Sequence, residues 1–438
     1  MLPSAIVGAV AGGGEISATG ALRVFIGVAA VVALSLVATA RPFYRVQRIP
    51  AVGAFISGGW AAIAVGLILG RHVLNVVDRD VLLDVRPLIM IALGWIGVIV
   101  GMQGRWEILR RVPPALWRWT ALDALLSAIL SATIAAFVMG EWLHPDHRSL
   151  DWVLPPVLML ACCMIGWAPE TRSIRVAHTP KAGRLALLLQ SGAGLSAMAA
   201  IVLFGITYRL TGRDELGRMD FTIAENASKA LIALVVAALL GLGGRFMLQR
   251  ADRSRPDALT VFIGVVAISA GVAATLRFSP LFGSMLVGVV VANLTGPRVR
   301  DFERFIMGAE HAVALLFYLL AGVLLEPAIG LWGAILVAAF VLIRIAVKPF
   351  AMQRSLAAHA AELPARSVLY AASIRQSPIA IAIAVGLILS EASTLHRRLL
   401  TVVVLVGLIS ELLPYLVSLR QRRSLAAAAA ELPAMERP

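Results

Sequence analysis

The chain has 438 residues, of which 60% are hydrophobic and 15% are charged, and its formal net charge is +14. Soluble globular domains do not carry so large an apolar fraction, so the composition predicts an all-α polytopic membrane protein in a lipid bilayer. Most basic residues fall in loops between apolar segments, which indicates membrane orientation rather than nucleic-acid binding, and no nucleic-acid partner is expected.

Thirteen apolar segments predict membrane-spanning helices. In chain order they cover residues 21–39, 51–70, 86–102, 119–140, 152–168, 183–207, 227–248, 258–276, 279–294, 308–326, 330–348, 364–390 and 398–418.

Basic residues cluster in the loops that follow the odd-numbered spans. Arg105, Arg110 and Arg111 after the third span are an example, whereas Asp78-Arg79-Asp80 after the second span is balanced. Because cytoplasmic loops carry the excess of lysine and arginine, this pattern predicts an external N-terminus and a cytoplasmic C-terminus. We expect a multi-pass protein of a bacterial-type cytoplasmic (inner) membrane.

The fifth and twelfth spans are each interrupted by proline beside polar residues. The interruptions read Ala168-Pro169-Glu170-Thr171 and Ile374-Arg375-Gln376-Ser377-Pro378. Proline removes a hydrogen-bond donor and frees a carbonyl, and in lipid such groups must find protein, water or ion partners. Two interruptions at corresponding positions predict a binding site at half depth, and the alternative is a pair of ordinary proline kinks.

The sixth span contains a polar pair, Gln190-Ser191, within the small-residue segment Gly183–Leu195. This segment resembles the ion-binding helix of the monovalent cation–proton antiporters, especially their potassium-efflux and sodium–proton exchanger branch. That helix usually carries an aspartate where this chain has Ser191.

Three further segments are similar to parts of the same family, in the same order along the chain. Arg48–Gly53 resembles a Pro-x-x-Gly helix opening, Leu281–Asn293 a glycine-rich helix, and Glu310–Glu326 a segment with an aromatic pair, a glycine and a final acid. Each match is weak alone, and their order carries the resemblance.

The resemblance implies a particular architecture. One extra helix would precede two inverted six-helix repeats, at about 51–207 and 258–418, with two broken helices that cross. Residues 1–418 would form one transmembrane domain and 419–438 a short basic, alanine-rich cytoplasmic tail. The family also implies a homodimer and transport by alternating access.

Antiport needs a group that holds either a proton or a cation at half depth, and a buried carboxylate does this. Ser191 does not titrate, and Gln190 coordinates a cation without exchanging a proton. Glu170, beside Pro169, is the first candidate for the missing acid, although it could instead pair with a loop arginine. Asp123 is the second candidate, and its alternative position is the headgroup level.

Basic side chains near the interruptions are the remaining candidates. Arg344 and Lys348 share one face of the eleventh span. On this helix the family often places a lysine or arginine that faces the crossing of the two broken helices. Either these two and Arg375 face the site, or they extend to the cytoplasmic interface. Glu310 and Glu326 are expected at the two ends of one helix.

Two functions remain open from the sequence. The first is a carrier resembling the Na⁺ or K⁺/proton antiporters. The second is an antiporter fold that has lost ion exchange and serves as a subunit, sensor or scaffold, with a protein partner at the cytoplasmic face. No phosphate loop, nucleophile elbow or zinc signature occurs, so neither enzymatic activity nor a cofactor or bound metal is predicted. His144-Pro-Asp-His147 offers too few ligands to change this.

One repeat lies outside this scheme. Arg354–Ala365 and Arg423–Ala434 differ only at His359 against Ala428. Alanine, leucine and glutamate favour helix and the proline ends it, so the repeat predicts two short cytoplasmic helices.

Overall fold

The computed structural model describes residues 59–77, 79–110, 112–142, 150–168, 180–210, 223–250, 255–276, 278–294, 299–356, 373–390 and 393–431. Within these ranges the chain is helical, and one isolated β-bridge is its only extended pairing. The helices are α1 (Trp60–Leu69), α2 (Arg79–Asp84), α3 (Arg86–Met102), α4 (Trp106–Leu109), α5 (Pro114–Trp142), α6 (Leu150–Ile165), α7 (Pro180–Leu210), α8 (Ile223–Arg250), α9 (Arg255–Thr275), α10 (Pro280–Leu294), α11 (Val299–Leu324), α12 (Gly330–Leu356), α13 (Pro378–Ser390) and α14 (Thr394–Glu431).

The chain divides into two compact units. The smaller unit comprises residues 1–89 and 318–324. In it, α1 packs directly on the last turns of α11, because a Cβ at Gly66 would overlap the carbonyl oxygen of Leu319 and one at Gly322 would overlap that of Ile63. Small residues that allow backbones to approach are the usual means of packing helices in lipid.

The larger unit comprises residues 90–317 and 325–438. Both α6 and α12 pack along α5, and α6 also contacts α7, α13 and α14. A second group of helices in this unit is formed by α8, α9 and α10. The first group carries the buried charged residues Asp123, Arg344 and Lys348.

Glycines bring α3 and α10 into backbone contact in the larger unit. A Cβ at Gly101 would overlap the carbonyl oxygen of Met285, and one at Gly288 would overlap that of Val98. The glycine-rich segment that the sequence resemblance singled out is therefore a helix-packing surface here.

Three helical stretches in the described part are long and apolar enough to cross a membrane, namely Pro114–Trp142, Leu189–Arg209 and Gly330–Ser355. Several other apolar helices are shorter, and α6 and α13 are short because each is adjacent to one of the two interruptions. This agrees with the prediction of a multi-pass membrane protein.

Two helices extend beyond their predicted ends. The eleventh span was expected to end at Lys348, but α12 continues to Leu356, so Lys348 lies in the helix and not at its end. The last span was expected to end at 418, but α14 continues to Glu431. Residues 423–431 of the second repeat copy therefore form the end of α14 rather than a separate helix, because arginine, alanine and leucine continue a helix well.

Some predictions lie outside the described residues. They are the span at 21–39, the beginnings of the spans at 51–70 and 364–390, the loop with His144 and His147, Pro169, Glu170 and most of the first repeat copy.

Candidate functional site

The two interruptions predicted from sequence meet in the structure. Helix α6 ends at Ile165, α13 begins at Pro378, and the extended residues Trp167 and Gln376 form an antiparallel bridge. The Ala168 amide donates to the Arg375 carbonyl at 3.2 Å, and the Ser377 amide donates to the Gly166 carbonyl at 3.4 Å. Each unwound segment thus supplies backbone partners that lipid would not provide.

Ser377 also begins α13. Its hydroxyl accepts a hydrogen bond from the Ile379 amide at 3.3 Å, in the manner of a helix N-cap. The proline that follows Ser377 occupies the first helical position, where its missing N–H costs nothing.

Arg344 of α12 binds the carbonyls of both interruptions, and its side chain is 1% exposed. Its guanidinium donates to Met164 at 3.1 Å, to Gly166 at 3.2 Å, and to Ile374 and Arg375 at 2.9 Å each. Arg344 therefore does not extend to the cytoplasmic interface, the alternative that the sequence left open. Its described partners are backbone carbonyls.

Lys348, one turn further along α12, forms an ion pair with Asp123 of α5. Its ammonium donates to Oδ2 of Asp123 at 2.8 Å and to Oδ1 at 3.1 Å. The exposed fractions are 0% for Lys348 and 1% for Asp123. The Ser127 hydroxyl donates to the same carboxylate at 3.2 Å. Asp123 therefore lies in the packed interior of the protein, nine residues after the start of α5 at Pro114.

Arg344 and Lys348 together bind the carbonyls at the C-terminus of α6. Lys348 donates to the Ile165 carbonyl at 3.2 Å, between the Met164 and Gly166 carbonyls that Arg344 binds. The last carbonyls of a helix have no intrahelical donor and carry partial negative charge. The buried side chains of Arg344 and Lys348 supply hydrogen-bond donors and positive charge to these carbonyls. Asp123 balances one of the two positive charges.

A cavity of about 230 Å³ lies beside the interruptions. It is walled by parts of α3, α7 and α11, by Trp167 and Ala168, and by the start of α13. Its polar lining residues are Gln103, Gln190, Glu310 and Ser377. In the described ranges no group of three or more metal-ligating side chains gathers.

The predicted site residues are distributed over these features. Gln190 and Ser377 line the cavity, whereas the neighbouring Ser191 is half-buried outside its lining. Arg375 forms an ion pair with Glu411 of α14. The Gln376 amide is 3.5 Å from the Cys163 carbonyl, at the limit of a hydrogen bond.

Two features were not predicted. Glu310 was expected at a helix end, but α11 begins at Val299, so Glu310 falls near the middle of the helix and reaches the cavity. The pairing of Asp123 with Lys348 joins residues 225 positions apart. A buried charge requires a partner, and that rule could have linked the two residues.

The fold was also compared with those of known proteins. Two solved structures of the sodium proton antiporter MjNhaP1 from Methanocaldococcus jannaschii superpose with TM-scores of 0.62 and 0.60, at 15% and 14% sequence identity. They cover 90% and 94% of this chain and 96% and 99% of the antiporter chain. No family model matches the sequence, and no curated protein matches it. The chain therefore has the fold of a sodium/proton antiporter, as the sequence resemblance predicted.

Proposed function

We propose that the chain is a membrane carrier that exchanges a monovalent cation, Na⁺ or K⁺, for protons by alternating access. The observation that carries the proposal is the buried ion pair of Asp123 and Lys348 beside the end of the interrupted helix α6. The antiporter fold supports it independently.

The ion pair supplies chemistry that Ser191 lacks. With Asp123 ionised, its carboxylate binds the Lys348 ammonium and holds α5 to α12. When Asp123 takes up a proton, the attraction to Lys348 weakens, and Lys348 keeps only the Ile165 carbonyl among these partners. Proton binding therefore weakens the contact of α5 with α12, and through Lys348 it affects the end of α6. A carrier needs this kind of coupling between occupancy and packing.

Proton movement in proteoliposomes tests the proposal. The purified chain is reconstituted with an internal pH-sensitive dye, and Na⁺ or K⁺ gradients are applied separately. We expect cation-driven pH change with at least one ion, lost in Asp123→Asn and retained in Glu107→Gln, whose acid is exposed on α4. Full exchange in a folded Asp123→Asn protein would refute the role of the pair.

The second candidate is an antiporter fold without exchange, acting as a subunit, sensor or scaffold with a partner at the cytoplasmic face. It is favoured by the serine at position 191, where the resemblance expects an acid. Absence of pH change with both Na⁺ and K⁺, in a reconstituted and folded protein, would select this candidate.

The finer architecture belongs to the same proposal. It comprises thirteen spans, inverted repeats at about 51–207 and 258–418 with crossing broken helices, and a homodimer in a bacterial-type inner membrane. Loop charge supports a cytoplasmic C-terminus. The meeting of the two interruptions at Trp167 and Gln376 supports the repeats, because each half contributes one interrupted helix.

A further inference from the structure

We infer that Glu310 is the carboxylate that binds the transported cation, in the cavity beside the interrupted helices, in place of the acid that position 191 lacks. The inference rests on the proposed function, since it assigns the cation site of that carrier.

The first step is the position of Glu310 along α11. It lies 11 residues after the start of α11 at Val299 and 14 before its end at Leu324. At about 1.5 Å of rise per residue, these separations are roughly 16 Å and 21 Å. Glu310 is therefore near half the length of α11, two residues before the apolar part of that helix, Ala312–Leu324, begins.

The second step concerns the surroundings of its carboxylate. Asp123, Glu326 and Glu411 each have a lysine or arginine nitrogen within 4 Å. Among the side chains that the structure describes, none forms an ion pair or a hydrogen bond with the Glu310 carboxylate, and this side chain is exposed at the cavity. The cavity gives this carboxylate room for a mobile cation as its partner.

The third step is the chemistry of the cavity wall. Gln103, Gln190 and Ser377 line the same cavity and offer amide and hydroxyl oxygens. Oxygen ligands of this kind replace the hydration shell of Na⁺ and K⁺ in membrane proteins. Gly194 leaves room for the Gln103 side chain, because a Cβ at Gly194 would lie 2.5 Å from Oε1 of Gln103. A volume of about 230 Å³ holds a cation together with several waters.

This arrangement separates two tasks. The cavity carboxylate of Glu310 attracts and binds the cation, while the proposed coupling to helix packing belongs to the Asp123–Lys348 pair. Asp123 does not line the cavity, so the two carboxylates act from different places.

Equilibrium binding of ²²Na⁺ and ⁸⁶Rb⁺, the latter as a tracer for K⁺, to the full chain in lipid nanodiscs tests the inference. We expect saturable binding of at least one ion by the natural protein. Glu310→Gln should weaken it at least tenfold, Glu310→Asp should weaken it less, and Glu107→Gln should leave it unchanged. Gel filtration and thermal unfolding establish that each variant is folded.

Two outcomes would overturn the inference. One is binding by folded Glu310→Gln that equals that of the natural protein, and the other is binding of neither ion by the natural protein. If Glu310→Gln loses folded material, Glu310→Asp still decides, because binding in it equal to the natural protein at every ion concentration would contradict a direct ligand. Binding that depends on Glu310 without any cation-driven pH change would support the site and refute the proposed exchange.

Discussion

Lys348 and Asp123 form an ion pair 2.8 Å long between α12 and α5, and both side chains are almost fully buried. Through the Ile165 carbonyl, the same ammonium reaches the end of α6. One side chain thus joins three helices at the place where a helix terminates inside the protein. The pair is a structural connection as well as a candidate for proton exchange, and the two roles are separable by experiment.

Removal of either charge of this pair should destabilise the protein strongly. Asp123→Asn or Lys348→Gln leaves the other charge buried and unpaired, at a cost of about 3–5 kcal/mol. The double variant should lose much less than the sum of the two single variants. The free energy of unfolding, measured by denaturant titration in detergent, gives the coupling energy. Strictly additive losses would show that the two residues do not interact.

Arg344 should not tolerate replacement by lysine. Lysine keeps the charge but lacks the planar guanidinium that reaches four carbonyls on two segments. We expect Arg344→Lys to lower the free energy of unfolding by about 3 kcal/mol, the loss of one or two charge-assisted hydrogen bonds. Arg354→Lys in the exposed last turn of α12 is the matched control. Equal stability of the two variants would contradict the role assigned to Arg344.

An aspartate at position 191 should strengthen cation-dependent proton movement. Ser191 is half-buried on α7 next to Gln190, which lines the cavity, so Ser191→Asp adds a titratable group beside the proposed cation site. The measurement is the rate of pH change in proteoliposomes at several cation concentrations. Ser191→Asn has nearly the same shape without the charge and should leave the rate unchanged. Equal rates in the aspartate and asparagine variants would contradict the prediction.

A methyl group at Gly288 should be costly, whereas one at Gly243 should not. A Cβ at Gly288 meets the backbone of Val98 on α3, and the Cβ position at Gly243 is open. We expect Gly288→Ala to destabilise by about 1–3 kcal/mol through overpacking. Gly243→Ala should be neutral or stabilise by up to about 1 kcal/mol, because alanine favours helix. The stabilities of the two variants are compared by thermal unfolding. A Gly243→Ala protein less stable than the Gly288→Ala protein would contradict the close approach of α3 and α10.

Substituted-cysteine labelling checks the orientation. Cys162 and Cys163 are fully buried, so the background from the natural cysteines should be low. A membrane-impermeant maleimide should label Gly217→Cys, in the predicted external loop, in intact cells. It should label Ala434→Cys only after the cells are permeabilised. Labelling of the tail but not of the loop in intact cells would reverse the topology.

The positions of most helices could be predicted from the chain alone. Apolar segments predicted α3 at its observed bounds and most other described helices to within a few residues, because hydropathy acts locally along the chain. The helix bounds were less predictable at the start of α11 and at the ends of α12 and α14, since charged residues and alanine continue a helix beyond its apolar part. The antiporter fold was also predictable, from the order of several short motifs.

The composition and the local pattern of the chain thus determined a helical membrane protein with two interruptions, at Pro169 and Pro378. Only the tertiary structure decided which charged side chains bind the backbone carbonyls at these interruptions. Arg344 and Lys348 were ambiguous in sequence, because a long basic side chain reaches either an interface or an interior partner. The interior partners lie on other helices, at carbonyls that become available only where helices end. Glu310 was ambiguous for the same reason, since the cavity that it reaches is formed by helices far apart in the chain.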